Sequence, residues 1–269
     1  MIPFLHIWRL TIPTFGLMVA TAMLTAYFVL RADMARRGIA AAESGMAESF
    51  IAIPCLVGIV DAKLYHVLES PRELLTDPLG QIFSQFGFAW FGGLLAGMAA
   101  FILLSRRNKI PLLVMLDAGS AAAALGYGIG RIGCLLSGDG DYGIPTSLPW
   151  GMSFPHGLVP TDVRVHPTPI YELLVACAIA WILWRMGARA VARKNTGGMP
   201  ALRDASAIEN APMTGEVFAA YLVLTGAARF LVEFIRINPR TFLGMTNAQA
   251  ASLASIALGA ALWLWLEKK

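Results

Sequence analysis

The chain has 269 residues, 57% of them hydrophobic and 14% charged, with a mean hydropathy of +0.63. Such a composition excludes an ordinary soluble domain and points to a polytopic membrane protein. The net charge of +4 is read as a topology signal with some contact to anionic headgroups, and it gives no support to a nucleic-acid partner.

Apolar windows of about 20 residues fall at 10–30, 48–67, 86–104, 112–134, 168–185, 214–235 and 247–266. The expectation is an all-α fold of about seven transmembrane helices forming a single domain over 1–269. The first stretch is too long for a signal peptide, has little basic leader beyond Arg9, and is followed by Arg31, Arg36 and Arg37, so it reads as a retained span. The second is the weakest, because it contains Asp61 and Lys63. On the third, Gly92, Gly93 and Gly97 mark either close helix contact or the edge of a lipid cavity.

The fourth span begins near Asp117, runs through the tract Ala118-Gly119-Ser120-Ala121-Ala122-Ala123-Ala124, and ends at Gly126, Gly128, Gly130 and Arg131. Small residues at this density let helices approach closely. Asp117 is expected to cap a helix or pair with Lys109. A guanidinium at helix depth costs about 2.5 kcal/mol or more, so Arg131 must be paired, solvated in a cavity, or holding an anion. The segment 136–167 carries Asp139, Asp141, Tyr142, Pro145, Pro149, Trp150, Pro155, His156, Pro160 and His166. Turn chemistry and aromatic anchors make it a lid or substrate-facing structure.

The fifth span opens with His166-Pro167-Thr168-Pro169-Ile170-Tyr171-Glu172, a helix start with proline in the first turn. Glu172 there either meets the helix dipole or orients His166 or an arginine. On the sixth span Arg229, Glu233 and Arg236 share one stripe at i, i+4 and i+7. Two arginines beside one glutamate leave a surplus positive charge that suits a lipid phosphate. Cys55, Cys134 and Cys177 sit in apolar segments without ligand spacing, and neither a metal nor an organic cofactor is expected.

Lysine and arginine fix the expected orientation. Thirteen of the 21 basic residues follow the first, third, fifth and seventh spans, from Arg31 to Lys269. With seven alternating spans these lie on one face, which the positive-inside rule makes cytoplasmic. The N-terminus and the 136–167 segment then face outward, and Arg131, Arg229 and Arg236 converge there.

These residues also carry a resemblance. Gly130-Arg131-Ile132-Gly133, followed by Gly138 and Tyr142-Gly143, resembles the signature of the prolipoprotein diacylglyceryl transferase family of bacterial inner-membrane enzymes. In the family's order stand also Ala62-Lys63-Leu64-Tyr65, Gly92-Gly93-Leu94, Leu116-Asp117, His166-Pro167-Thr168-Pro169-Ile170-Tyr171-Glu172 and Arg229-Phe230-Leu231-Val232-Glu233-Phe234-Ile235-Arg236. The resemblance spans about residues 10 to 260. It implies transfer of the diacylglyceryl group of phosphatidylglycerol to the thiol of a prolipoprotein lipobox cysteine, with release of glycerol 1-phosphate. By the family pattern Arg131 and Arg229 hold the phosphate and stabilise the leaving group, while Glu233 and Arg236 organise them. Gly92, Gly93, Gly133, Tyr142 and Glu172 are assigned to substrate binding, and the site faces the periplasmic side.

The chain departs from the pattern at several points. Phe91 stands where the family usually has a histidine before the paired glycines, and Phe15 where it often has a tyrosine. Cys134 and Ser137 replace two asparagines, Asp139 replaces a glutamate, and one extra residue precedes Tyr142. The residue usually proposed as base is therefore missing, leaving His166, Asp139 and Asp141 as candidate proton acceptors; the two aspartates alternatively fix the loop through Asx turns. Two other functions stay open: a related lipid transferase with a different acceptor, and a non-catalytic phospholipid-binding or transport protein.

Overall fold

The computed structural model describes residues 2–39, 46–69, 71–83, 89–196, 215–240 and 243–268. A β-hairpin, β1 (Phe4–Ile7) and β2 (Leu10–Pro13), leads into α1 (Thr14–Arg36). Then follow α2 (Ala47–Glu69), the short α3 (Pro71–Thr76) and α4 (Pro78–Phe83), α5 (Trp90–Arg107) and α6 (Leu112–Ser137). A second antiparallel hairpin, β3 (Met152–Phe154) with β4 (Thr161–Val165), precedes α7 (Thr168–Thr196). The chain closes with α8 (Glu216–Val232), a 3₁₀ turn (Glu233–Ile235) and α9 (Asn247–Glu267).

Six of the described helices are long and apolar enough to cross a membrane: α1, α2, α6, α7, α8 and α9. The protein is a multi-pass membrane protein. The sequence also expected a span at 86–104; there the structure has α5, 18 residues ending in Arg106 and Arg107, which is not among the six. Residues 84–88, the connection 197–214 with Arg203, and Lys269 lie outside the described residues.

α6 is the central helix, packed against α1, α7 and α8. Its small residues explain this: Ala118, Ala121, Ala122, Ala124 and Gly128 are buried, and a Cβ at Gly128 would lie 3.0 Å from that of Ala176 on α7. Large side chains from its neighbours fill the space they leave, with Leu30 and Met34 of α1 and Phe50 of α2 nearly inaccessible around Met115. α2 and α5 form a tighter pair. At Gly58 and Gly93 each backbone carbonyl lies 2.9 Å from where the other's Cβ would be, so neither position accepts a side chain without separating the helices.

α6 ends at Gly138, whose φ of +58° is the left-handed cap, its N–H donating to Cys134 O at 2.9 Å. The chain then turns into the 138–167 segment, whose small core is Tyr142, Phe154 and Val165. Turn chemistry thus produces a packed hairpin on the end of α6.

Candidate active site

Three helix ends meet where α6 stops. Arg131 lies in the penultimate turn of α6 and Glu172 in the first turns of α7, while Arg229 and Glu233 straddle the end of α8. There α8 tightens into the 3₁₀ turn, and Arg236 leaves it extended and bridges Gly143. Pro239 follows closely and prevents the helix from resuming. The Gly143 contact is close because only glycine fits, a Cβ there meeting Ile235 O at 2.5 Å. This bridge ties the last turn of α8 to the loop after α6 and brings Arg236 against Asp141.

Glu172 is the hub. One carboxylate oxygen accepts from the Tyr127 hydroxyl at 2.6 Å and faces Arg229 at 3.7 Å. The other faces Arg131 Nε at 2.8 Å and Arg236 Nη1 at 3.5 Å. Asp141 bridges two arginines, with Oδ2 2.5 Å from Arg131 Nη2 and Oδ1 against Arg236 Nη2. Glu233 lies 2.6 Å from Arg229, faces Arg236 Nε at 3.7 Å, and accepts from Asn238 at 2.7 Å. Four of these buried atoms, Arg131 Nε, Arg229 Nη1, Glu233 Oε2 and Arg236 Nε, are charge-compensated without an aligned hydrogen bond. Compensated but poorly aligned guanidinium nitrogens are what a ligand with several acceptor oxygens can improve on, whereas Glu233 Oε2, itself an acceptor, gains nothing from such a ligand.

Beside this network the Cys134 thiol lies within 4.8 Å of an Asp139 carboxylate oxygen. Asp139 Oδ1 also accepts from the Asp141 amide at 3.2 Å, an Asx turn. The two aspartates titrate in opposite directions. Burial, then the charge of Asp141, raises the carboxyl of Asp139 above its ordinary value. Burial opposes a charge on Asp141 as well, but Arg131 and Arg236 outweigh it and hold its carboxyl low. One position of Cys134, Asp139 and Asp141 brings potential metal-ligand atoms within 4.8 Å of one another; with both Asp141 oxygens facing guanidinium groups, this is a poor cradle for a cation.

A model of the prolipoprotein diacylglyceryl transferase family matches residues 3–265. The chain belongs to this family. It is 28% identical to the phosphatidylglycerol–prolipoprotein diacylglyceryl transferase of Clostridium tetani, over 94% of this chain and 93% of that protein. It is 30% identical to the enzyme of the same name from Geobacter sulfurreducens, over 90% and 84%, and 28% identical to that of Dehalococcoides mccartyi, over 98% and 92%.

The structure joins Arg131, Arg229, Arg236, Glu233 and Glu172, all singled out from the sequence, in one network. Of the alternatives for Glu172, it orients arginines and not His166. The charge count needs correction. Asp141 and Glu172 make three carboxylates against three arginines, so the surplus positive charge read from the sixth span is absent from the described network. Asp141 was legible only as a possible base or loop staple, and Tyr127 was missed.

Other residues singled out from the sequence lie elsewhere. The His166 ring hydrogen-bonds the Tyr171 hydroxyl at 3.2 Å, which also accepts from Trp150 at 2.8 Å. Tyr142 stacks on Phe154 with centroids 5.2 Å apart and donates to Val159 O. Gly133 lies against Phe15 and Met18 of α1, and Gly92 and Gly93 against Tyr65 and Gly58 of α2. The Phe91 side chain lies outside the described residues. Asp117 is a cap as expected, accepting from the Gly215 and Phe218 amides at 2.9 and 2.8 Å, but its basic neighbour is Arg37 at 3.8 Å in place of Lys109.

Proposed function

We propose that the protein transfers the diacylglyceryl group of phosphatidylglycerol to a prolipoprotein cysteine, and that Arg131, Arg229 and Arg236 hold the phosphate during the transfer. The observation that carries this reading is the convergence of three arginines from two helix ends on one partly open site, in a chain of this family. The acceptor sulfur attacks the glyceryl carbon, the carbon–oxygen bond to phosphate breaks, and the electron pair leaves on glycerol 1-phosphate. Charge therefore grows on the phosphate, where preorganised guanidinium groups stabilise it most. Glu172, Tyr127, Glu233 and Asn238 fix the guanidinium planes from behind.

The thiol proton needs an acceptor. Asp139 has the better electrostatics, because burial and the charge of Asp141 raise its carboxyl, and a raised carboxyl is a stronger base than an ordinary one. A thiol, that of Cys134, already lies within 4.8 Å of its carboxylate. His166 is the second candidate, its ring turned to Tyr171 in this conformation.

The reading includes the topology. α5, about 27 Å long at 1.5 Å per residue, serves as a seventh span. The N-terminus and the 138–167 hairpin then face the periplasmic side of the bacterial inner membrane, within one domain over the whole chain. The excess of basic residues at the opposite helix ends supports this orientation.

Purified protein reconstituted with phosphatidylglycerol and a synthetic lipobox peptide should yield the diacylglyceryl thioether by mass spectrometry. A peptide with serine for the cysteine should yield none. Consumption of phosphatidylglycerol without peptide product would move the protein to the reading with a different acceptor.

A further inference from the structure

The three arginines of the site are already neutralised. A lipid phosphate entering beside three intact carboxylates would add negative charge to a balanced, mostly buried cluster, so one carboxylate has to give way. The structure identifies which. Glu233 has 0% side-chain exposure and Glu172 has 5%, and each is held by at least three groups. Asp141 is 31% exposed, the most accessible of the three carboxylates.

Its contacts also have the form of the ligand's. Oδ1 and Oδ2 of Asp141 hold one arginine each, Arg236 and Arg131, as two oxygens of a phosphodiester would. The backbone at Asp141 is pinned independently of the carboxylate. Its carbonyl accepts from Thr168 Oγ1 at 2.5 Å and its amide donates to Asp139 Oδ1 at 3.2 Å, while the Gly143 amide two residues on donates to His166 O at 2.9 Å. The carboxylate can therefore swing out by side-chain rotation while the loop stays in place.

We infer that Asp141 is an internal stand-in for the substrate's phosphate, occupying the Arg131–Arg236 pair in the resting protein and yielding it to an anionic phosphodiester headgroup. The inference rests on the phosphate-site reading above. Exchanging one anion for another keeps the buried guanidinium groups compensated throughout. It also selects for headgroups of net negative charge. A zwitterionic lipid would import a cation with its phosphate and leave the displaced cluster with positive charge uncancelled.

The test measures glycerol 1-phosphate binding to the purified full-length protein by calorimetry, in wild type, Asp141→Asn, Glu172→Gln and Arg131→Ala. Apparent affinity is reduced by the fraction of protein in which the site is blocked, so an occupancy of about nine-tenths by Asp141 makes Asp141→Asn bind about tenfold tighter. Glu172→Gln should not tighten binding, because it loosens the arginines' support. Unchanged or weaker binding by Asp141→Asn overturns the inference, and so does equal tightening by Glu172→Gln, which would reduce the effect to net charge. If Asp141→Asn does not fold in detergent, Asp141→Ser is measured against the same two outcomes. Failure of the underlying reading looks different: wild type then binds the probe no better than Arg131→Ala. Arg131-dependent binding without a gain in Asp141→Asn removes the stand-in alone.

Discussion

Arginines and aspartates gather at both ends of α6, and the two clusters use them differently. At the N-terminal end Asp117 is 1% exposed and spends its oxygens on the Gly215 and Phe218 amides, which begin α8. Arg37 and Arg36 pair with Asp33 one and nearly one turn before them, and Arg36 also donates to Trp184 O and stacks on its ring at 4.0 Å. That cluster is held mainly by backbone groups and an aromatic ring, with Arg37 Nη2 buried among them without a hydrogen bond, and its product is a fixed helix start. At the C-terminal end, about 21 Å along the axis from Asp117 to Arg131, the carboxylates bind mainly arginines. Arg229 and Asp141 remain 29% and 31% exposed there. Buried charge locks helices together when backbone closes the shell, and it is available for chemistry when the shell is made of exchangeable side chains with one side open.

The comparison breaks most visibly at Arg131. Replacing it by lysine keeps the charge but removes the fork that spans Asp141 and Glu172, and should lower kcat/KM by about 10³-fold; the melting temperature in detergent should move little. An equivalent Arg37→Lys exchange should leave kcat/KM of the folded fraction intact, and a loss there would erase the distinction. Next in size is Asp139→Asn, expected to cost about 10²-fold in rate. Because the Asp139 carboxyl is raised by burial and by the charge of Asp141, it takes up its proton at a higher pH than an ordinary carboxylate does. Wild-type kcat/KM should then climb as pH passes through that raised value, and the Asn variant should lose this limb. A surviving limb with His166→Ala removing it would transfer the base role to His166.

Asp117→Ala removes the cap of α8, which costs about 2 kcal/mol. Thermal melting should report it, with specific activity per folded molecule unchanged. The smallest effect is on acid stability. Asp141 is held below its unfolded value, so its contribution is complete above about pH 3.9 and disappears as pH falls through the lower folded value. Between pH 5 and 3 the melting temperature of wild type should fall more than that of Asp141→Asn, and parallel curves would show that the bridge adds no stability.

Much of the helical frame was legible because apolar windows and small-residue tracts are local signals. The 112–134 window became α6, and its alanines and glycines became the contact surfaces with α1 and α7. Within the site, the Arg229–Glu233–Arg236 stripe was legible for the same reason, helical spacing. What escaped was pairing across the chain. Asp141 meets Arg236 95 residues away and Glu172 meets Tyr127 45 residues away, and no periodicity marks either. Counting charge on one helix gave a surplus that the fold cancels with carboxylates from a loop and from α7. His166 reads as a candidate base from its position, but its orientation towards Tyr171 depends on a hairpin that the turn residues of 136–167 suggested only as a loop.

The most direct measurement is phosphatidylglycerol affinity, by titration of a fluorescent analogue into detergent-purified wild type, Arg131→Ala and Arg37→Ala, each first shown to be folded by size exclusion and melting. If the C-terminal cluster of α6 is the lipid-phosphate site, Arg131→Ala weakens binding by about tenfold or more and Arg37→Ala binds as wild type does. Equal affinities for all three proteins, or a loss confined to Arg37→Ala, would contradict it.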